Sequence, residues 1–215
     1  MSNEKKTSST DIPESTRDSQ SRRTFLKSAS LGAAAFMIVP RHVLGGPGRR
    51  APSDTVNIAA IGVGGIGRAN LAALSTQNIV ALCDVDWGYV AQRYAQIPTQ
   101  IEETANRLKQ TDDANEQREL KERIANLERL DVKSRQAARY TDFRKMLEQQ
   151  RDIDAVVIGT PDHTHAIMAL TAMSLGKHVY LQKPLAWSVE ECRRLAQRAA
   201  ETKVVTQMGN QGHSS

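Results

Sequence analysis

The chain is poor in cysteine, poor in aromatic residues and without a long apolar run, and each shortage excludes a class. Two cysteines in 215 residues, Cys83 and Cys192, exclude a disulfide scaffold and a cysteine-rich zinc module. Both fall in elements expected to be buried and read as free thiols. The apolar stretch Leu31 to Val39 is nine residues long, against the roughly 20 needed to span a bilayer. Stable membrane insertion is therefore not expected. An excess of one charge sign is also missing from most of the chain. The formal net charge is +5, but the first 50 residues hold nine of the 29 basic and four of the 24 acidic residues, leaving 20 of each sign in the remainder. A neutral body argues against a nucleic-acid partner. What remains, 40 % hydrophobic and 25 % charged, is an ordinary globular composition.

The basic excess belongs to a leader. Residues 1–20 are polar and rich in Ser and Thr. Ser21-Arg22-Arg23-Thr24-Phe25-Leu26-Lys27 follows, then the short apolar stretch with Ala33-Ala34-Ala35, then a Gly/Pro-rich segment from Pro40 to Pro52. The order of a basic region before a short apolar one is that of an export signal. The S-R-R-x-F-L-K string resembles a twin-arginine (Tat) signal, which a receptor reads as an address. Residues 1–50 are accordingly read as Tat signal and linker. The expected destination is periplasmic or otherwise exported, with the Tat translocation machinery as a partner.

Residues 51–215 alternate strand-like and helical patterns. Thr55–Ile61, Asn78–Cys83, Ala155–Gly159, His178–Leu181 and Val204–Met208 are short apolar runs ending at glycine or polar residues. A weak sixth strand is expected near Arg139–Thr141. Helical spacing covers Gly65 to about Thr76, Trp87 to about Gln96, Phe143–Gln149, Thr164–Leu175 and Ser188–Thr202, the last opened by a Ser188…Glu191 capping box. Continuous apolar strands alternating with helices predict an α/β fold with a doubly wound parallel sheet. The segment from about 97 to 138 is charged, glutamine-rich and glycine-free. Ile101, Ala105 and Leu108, then Leu120, Ile124 and Leu127, predict an inserted helical hairpin with a thin apolar seam. It reads either as a solvated decoration or as an oligomerisation arm or lid.

Three clusters carry chemistry. Gly62-Val63-Gly64-Gly65-Ile66-Gly67 fits G-x-G-x-x-G between a strand and a helix, the pattern that brings a pyrophosphate to a helix N-terminus. Asp84 ends the next strand, where an acid binds the adenosine ribose hydroxyls. That acid favours NAD over NADP, although Arg68 and Arg93 are close in sequence. The second cluster is Gly159-Thr160-Pro161-Asp162-His163-Thr164-His165, at a strand's C-terminal end. Its D-H-x-H string lacks further ligands at metal spacing, so no metal site is expected. The third is Gln182-Lys183-Pro184.

Taken in order, with Cys83-Asp84-Val85-Asp86 and Gly176-Lys177-His178-Val179 between them, these clusters resemble the Gfo/Idh/MocA oxidoreductase family from about Thr55 to Gln211. The resemblance implies a Rossmann-type domain that binds NAD(P), followed by an α+β domain that binds substrate and often mediates homo-oligomers. That second domain is missing here, and with it the family's catalytic Asp/His pair, so the chain reads as a fragment with little or no turnover of its own. By position, the resemblance places Gly62, Gly64, Gly65, Ile66 and Gly67 at the pyrophosphate and Asp84 at the ribose. It places Thr160, Pro161 and His165 in a loop beside the cofactor. Lys183 matches the lysine of the family's E-K-P motif, by the nicotinamide and the substrate, as the catalytic residue. Gln182 departs from the usual Glu and Asp162 from the commoner Asn. The implied reaction is hydride transfer between nicotinamide and a sugar, cyclitol or related secondary alcohol. Two other readings stay open: an NAD-dependent glycoside hydrolase on the same fold, and a non-catalytic nucleotide-binding or assembly module.

Overall fold

The computed structural model describes residues 54–211. The Tat-like string Ser21–Lys27 and the apolar stretch Leu31 to Val39 lie outside the described residues. In chain order the elements are β1 (Asn57–Ile61), α1 (Ile66–Ala73), β2 (Asn78–Cys83), α2 (Trp87–Ala95), α3 (Ile97–Gln110), α4 (Ala114–Gln136), β3 (Ala138–Tyr140), α5 (Phe143–Gln149), β4 (Ala155–Ile158), α6 (His165–Ser174), β5 (His178–Gln182), α7 (Val189–Thr202) and β6 (Thr206–Gly209). A 3₁₀ turn, Asp162–Thr164, leads into α6.

The six strands form one parallel sheet in the order β3-β2-β1-β4-β5-β6. This is the doubly wound order of a Rossmann fold. The strand order reverses direction between β1 and β4, which opens a crevice at their C-terminal ends. Successive residues of the central strands enter opposite cores. Ile58 and Ala60 face one side, with Leu71, Val90, Leu127 and Leu130. Ala59 and Ile61 face the other, with Met146, Ala169, Met173 and Leu195. Burial on both faces is why these strands are continuously apolar. One irregularity interrupts the register: Ile58 pairs with Ile79, but Ala59 pairs with Ala81. Val80 is the extra residue of a bulge, and Val80 and Ala81 therefore face the same core.

Local signals explain most boundaries. Asp86, Asp113, Asp142 and Ser188 cap the N-termini of α2, α4, α5 and α7 with side-chain acceptors. At α7 the capping box is complete, since Glu191 reaches back to the Ser188 N–H at 3.0 Å. Lys203 ends α7 in the left-handed region (φ 55°), and β6 starts two residues later than the apolar pattern suggests.

The segment 97–138 forms the expected helix pair, and its second arm also belongs to the core. Leu130 is fully buried, and Leu127 packs with it against the sheet and α1. Lys133 Nζ donates to the carbonyls of Ser75 (2.8 Å) and Gln77, which follow α1. The C-terminal half of α4 is thus the crossover helix between β2 and β3. Residues 102–126, with the Arg107–Glu116 ion pair, contribute to neither core cluster. Among the described residues, no helix is long and apolar enough to cross a membrane.

Candidate functional site

The crevice between β1 and β4 is built by three glycines that touch. Gly62 leaves β1 with φ +76°, and its N–H donates to the Cys83 carbonyl at 2.9 Å. A Cβ on Gly67 would stand 2.0 Å from the Gly62 oxygen, and one on Gly159 would stand 2.8 Å from Gly67 Cα. The start of α1 is therefore pressed against the ends of both strands, at a distance only glycines allow. Gly159 opens the second sequence cluster, but its contact with Gly67 and Gly62, 92 and 97 residues upstream, leaves no mark in the chain. Gly64 presents its bare face to the Tyr89 ring, which a Cβ would meet at 2.7 Å. Gly65 has open space around it and caps α1 without a side-chain bond. The first turn of α1 carries no acidic residue, so its amides and dipole face the crevice without a carboxylate.

Asp84 ties this loop to β2. Its Oδ2 accepts the N–H groups of Val63 (2.8 Å) and Gly64 (3.3 Å), and its Oδ1 accepts the N–H of Asp86 (3.0 Å). A carboxylate offers about four acceptor positions. Three are used by the backbone, and capacity for about one further donor remains. Next to it, burial and then the charges of Asp84 and Asp142 push the Cys83 thiol up to about 12.

The cavity here has a volume of about 520 Å³. Its lining includes the sequence-predicted Gly62, Gly64, Gly65, Asp84, Thr160 and Pro161. It also includes Tyr89, Thr141, Phe143, Arg144 and Met168, none of them foreseen. Arg144 grips Asp142 with its Nε (2.9 Å), its terminal nitrogen (2.7 Å) and its backbone N–H (2.9 Å). These bonds, the side-chain ones first, hold the Asp142 carboxyl down at about 2. No motif announces this pair, since a D-x-R string on its own is an ordinary helix start.

Ile66, Gly67, His165 and Lys183 lie outside the lining. Ile66 is half-exposed at the N-terminus of α1, and Gly67 supports the loop from beneath. His165 is fully buried, with Nδ1 2.7 Å from the Pro184 oxygen and Nε2 2.8 Å from the Thr160 oxygen. A carbonyl only accepts, so each contact is a donation wherever that ring nitrogen carries hydrogen. The D-H-x-H string therefore does not converge, as His165 turns inward and His163 is exposed. Among the described residues, no group of three or more His, Cys, Asp or Glu is arranged so that it could hold a metal ion.

Lys183 is exposed, on the loop after β5. Its neighbour Gln182 is buried and pairs reciprocally with Gln211, amide to amide, at 3.2 and 3.1 Å. Asn70 of α1 donates to Gln182 at 3.3 Å and accepts from Gln211 at 3.1 Å, and the Tyr180 hydroxyl lies 3.0 Å from the Gln211 nitrogen. This gives the departure from Glu a physical reason. A carboxylate at 182 would accept from Asn70 and Gln211, but it would have no hydrogen for the Gln211 oxygen.

The residues present fit a dinucleotide. A glycine cradle that any Cβ would fill faces a helix N-terminus, and a carboxylate with spare acceptor capacity stands one strand away. The sequence model of the Gfo/Idh/MocA oxidoreductases, described as an oxidoreductase family with an NAD-binding Rossmann fold, matches residues 56–210. A glycosyl hydrolase family 109 protein from Shewanella pealeana is 28 % identical over 199 residues, covering 85 % of this chain and 37 % of its own length. The scyllo-inositol 2-dehydrogenase (NAD(+)) of Bacillus subtilis is 42 % identical over 57 residues, covering 26 % of this chain and 17 % of that protein. The WlbA dehydrogenase from Bordetella pertussis, solved with NADH and UDP-GlcNAcA, shares the fold with a TM-score of 0.51 at 18 % identity, over 74 % of this chain and 36 % of that one. The chain thus spans little more than a third of the length of the glycosyl hydrolase family 109 relative and less of the inositol dehydrogenase.

Proposed function

Because the chain belongs to the Gfo/Idh/MocA family of oxidoreductases with an NAD-binding Rossmann fold, we propose that residues 51–215 form the nucleotide-binding domain of an NAD-dependent oxidoreductase acting on a sugar, cyclitol or related secondary alcohol. The observation that carries this reading is the meeting of Asp84, the Gly62–Gly67 loop and Thr160-Pro161 around one cavity at the strand-order reversal. In it, the free N–H groups at the start of α1 bind the pyrophosphate. Asp84 accepts a ribose hydroxyl, and its charge disfavours a 2′-phosphate, so NAD is preferred to NADP. Thr160 and Pro161 wall the site on the β4 side. When bound, the nicotinamide supplies the acceptor or donor of a hydride. Lys183 holds or moves the proton of the substrate hydroxyl at its Nζ. The names of the glycosyl hydrolase and inositol dehydrogenase relatives support a carbohydrate-like substrate. Titration calorimetry tests the reading: one NAD⁺ per chain is expected, and a folded chain that binds none overturns it.

A second reaction class has its own support. The relative matched over most of the chain is named a glycosyl hydrolase. On that reading the same nucleotide site serves a transient oxidation, and NADH does not accumulate. Sugar release from an aryl glycoside without net NADH favours hydrolysis. NADH formation in step with polyol consumption favours the dehydrogenase.

The destination is a separate part of the proposal, supported by the Ser21–Lys27 string. Export through the Tat pathway predicts that changing Arg22 and Arg23 to lysine keeps the protein in the cytoplasm. Export undiminished by that change argues against it.

A further inference from the structure

The position of His165 has a use that its place in the cofactor loop does not explain. It is 0 % exposed, and both ring nitrogens face backbone oxygens, so neither is free for a ligand. The two oxygens belong to different loops. Thr160 follows β4 and Pro184 follows β5, and β4 and β5 are neighbours in the sheet. The imidazole therefore spans the gap between two strand ends at the edge where the site lies. Lys183 sits immediately before the clamped carbonyl and immediately after Gln182, whose side chain is locked in the buried amide network. Its backbone is held on both flanks. Its own side chain is exposed and has no hydrogen bond or ion pair among the described residues. A rigid base under a free head is the arrangement that a functional side chain needs.

We propose that His165 is a positioning residue: it locks the Lys183–Pro184 loop to the Thr160–Pro161 loop and so sets the nicotinamide end of the nucleotide site without touching the ligand. The proposal rests on the nucleotide-binding reading above. Its chemistry is two-point contact across a fixed gap, with a donation to the facing carbonyl wherever a ring nitrogen carries hydrogen. Leucine at 165 would fill similar space and leave both carbonyls without a donor, which costs binding geometry as well as stability. Glutamine carries its donors on a single nitrogen, which reaches one carbonyl at a time. A histidine with a purely structural role would affect every ligand alike. A positioning one affects most a ligand that reaches the Lys183–Pro184 loop, since the nucleotide part meets only the Thr160–Pro161 wall.

The test compares ADP-ribose, which fills the adenosine and pyrophosphate part of the site, with NAD⁺, which also carries the nicotinamide. For His165→Leu, NAD⁺ affinity is expected to fall about tenfold, the equivalent of one hydrogen bond, while ADP-ribose affinity stays within about twofold. His165→Gln is expected to recover part of the NAD⁺ affinity. Hydrogen exchange supplies a readout without ligand. Amides of Gly159, Thr160, Asp162, Gln182, Lys183 and Leu185 should exchange faster together in His165→Leu, by about tenfold. Equal losses for both ligands that track the melting temperature overturn the proposal, as does unchanged exchange in either loop. If His165→Leu does not fold, His165→Gln carries both measurements. A wild-type chain that binds neither ligand defeats the nucleotide reading instead, and the exchange data then decide the clamp on their own.

Discussion

Replacing Asp84 by asparagine separates its two roles. The carboxylate accepts three backbone N–H groups, two on Oδ2 and one on Oδ1. An asparagine has one accepting oxygen. If that oxygen stays on Val63 and Gly64, the amide NH₂ faces the Asp86 N–H, donor against donor. One unsatisfied contact of this kind costs about 1–3 kcal/mol. For a chain of this size the melting temperature should then fall by roughly 2–12 °C. Binding suffers separately. The spare acceptor capacity of a carboxylate makes a charge-assisted bond to a ribose hydroxyl, worth about 1.5–3 kcal/mol, so NAD⁺ affinity should fall about 10- to 100-fold. NADP⁺ should lose much less, because the negative charge that repels its 2′-phosphate is gone. Titration calorimetry with both nucleotides, beside a thermal melt, measures all three quantities. If Asp84→Asn melts lower yet binds NAD⁺ within about twofold of wild type, the carboxylate is a staple of the glycine loop and nothing more. Equal losses for NAD⁺ and NADP⁺ refute the charge argument.

Four further outcomes are expected. Gly67→Ala places a Cβ 2.0 Å from a backbone oxygen, so α1 must lift and unfolding in urea should show a loss of about 1–3 kcal/mol, whereas Gly65→Ala, with open space around it, should unfold like wild type. Leu130→Ala should cost about 2–5 kcal/mol in the same assay, because the residue is fully buried under the crossover half of α4; a smaller loss would return that half of the helix to the status of a decoration. The Asp142 carboxyl is held at about 2 in the folded chain against an ordinary 3.8, so what it contributes to stability is complete above pH 4 and is lost as pH falls through about 2. In Arg144→Ala, its carboxyl resonance should titrate closer to the ordinary value. Cys83, with its thiol pushed up to about 12, should resist iodoacetamide at pH 8 in the folded chain and react only on unfolding.

The elements were legible because their causes are local. Period-two and period-3.6 patterns come from neighbouring residues, and so do the Ser188 cap and the glycine spacing from 62 to 67. That is why β2, α2 and the helix pair appear close to where the apolar pattern puts them. The exceptions are informative. The thin apolar seam of 97–138 suggested a decoration, an oligomerisation arm or a lid, because Leu127 looks like any hairpin leucine until it meets β2 and α1 in the core beside Leu130. The helix expected from Thr164 begins one residue later, after a 3₁₀ turn, and its first residue, His165, meets two loops that are distant in the chain.

For the candidate site, residue types and their order were visible in the chain, and so were the glycine cradle, the acid after β2 and the lysine after β5. Contacts between distant positions were not. Gln211 meets Asn70 from 141 residues away, Gly159 touches Gly67, and Arg144 and Tyr89 enter the cavity from elements that carry no motif. The physical reason is the range of the forces involved. Propensity, capping and steric turns act over a few residues and leave their mark in the chain itself. Which backbone oxygen faces His165, and which side chains close the wall beside Asp84, are settled only when the parallel sheet brings separate strand ends to one edge.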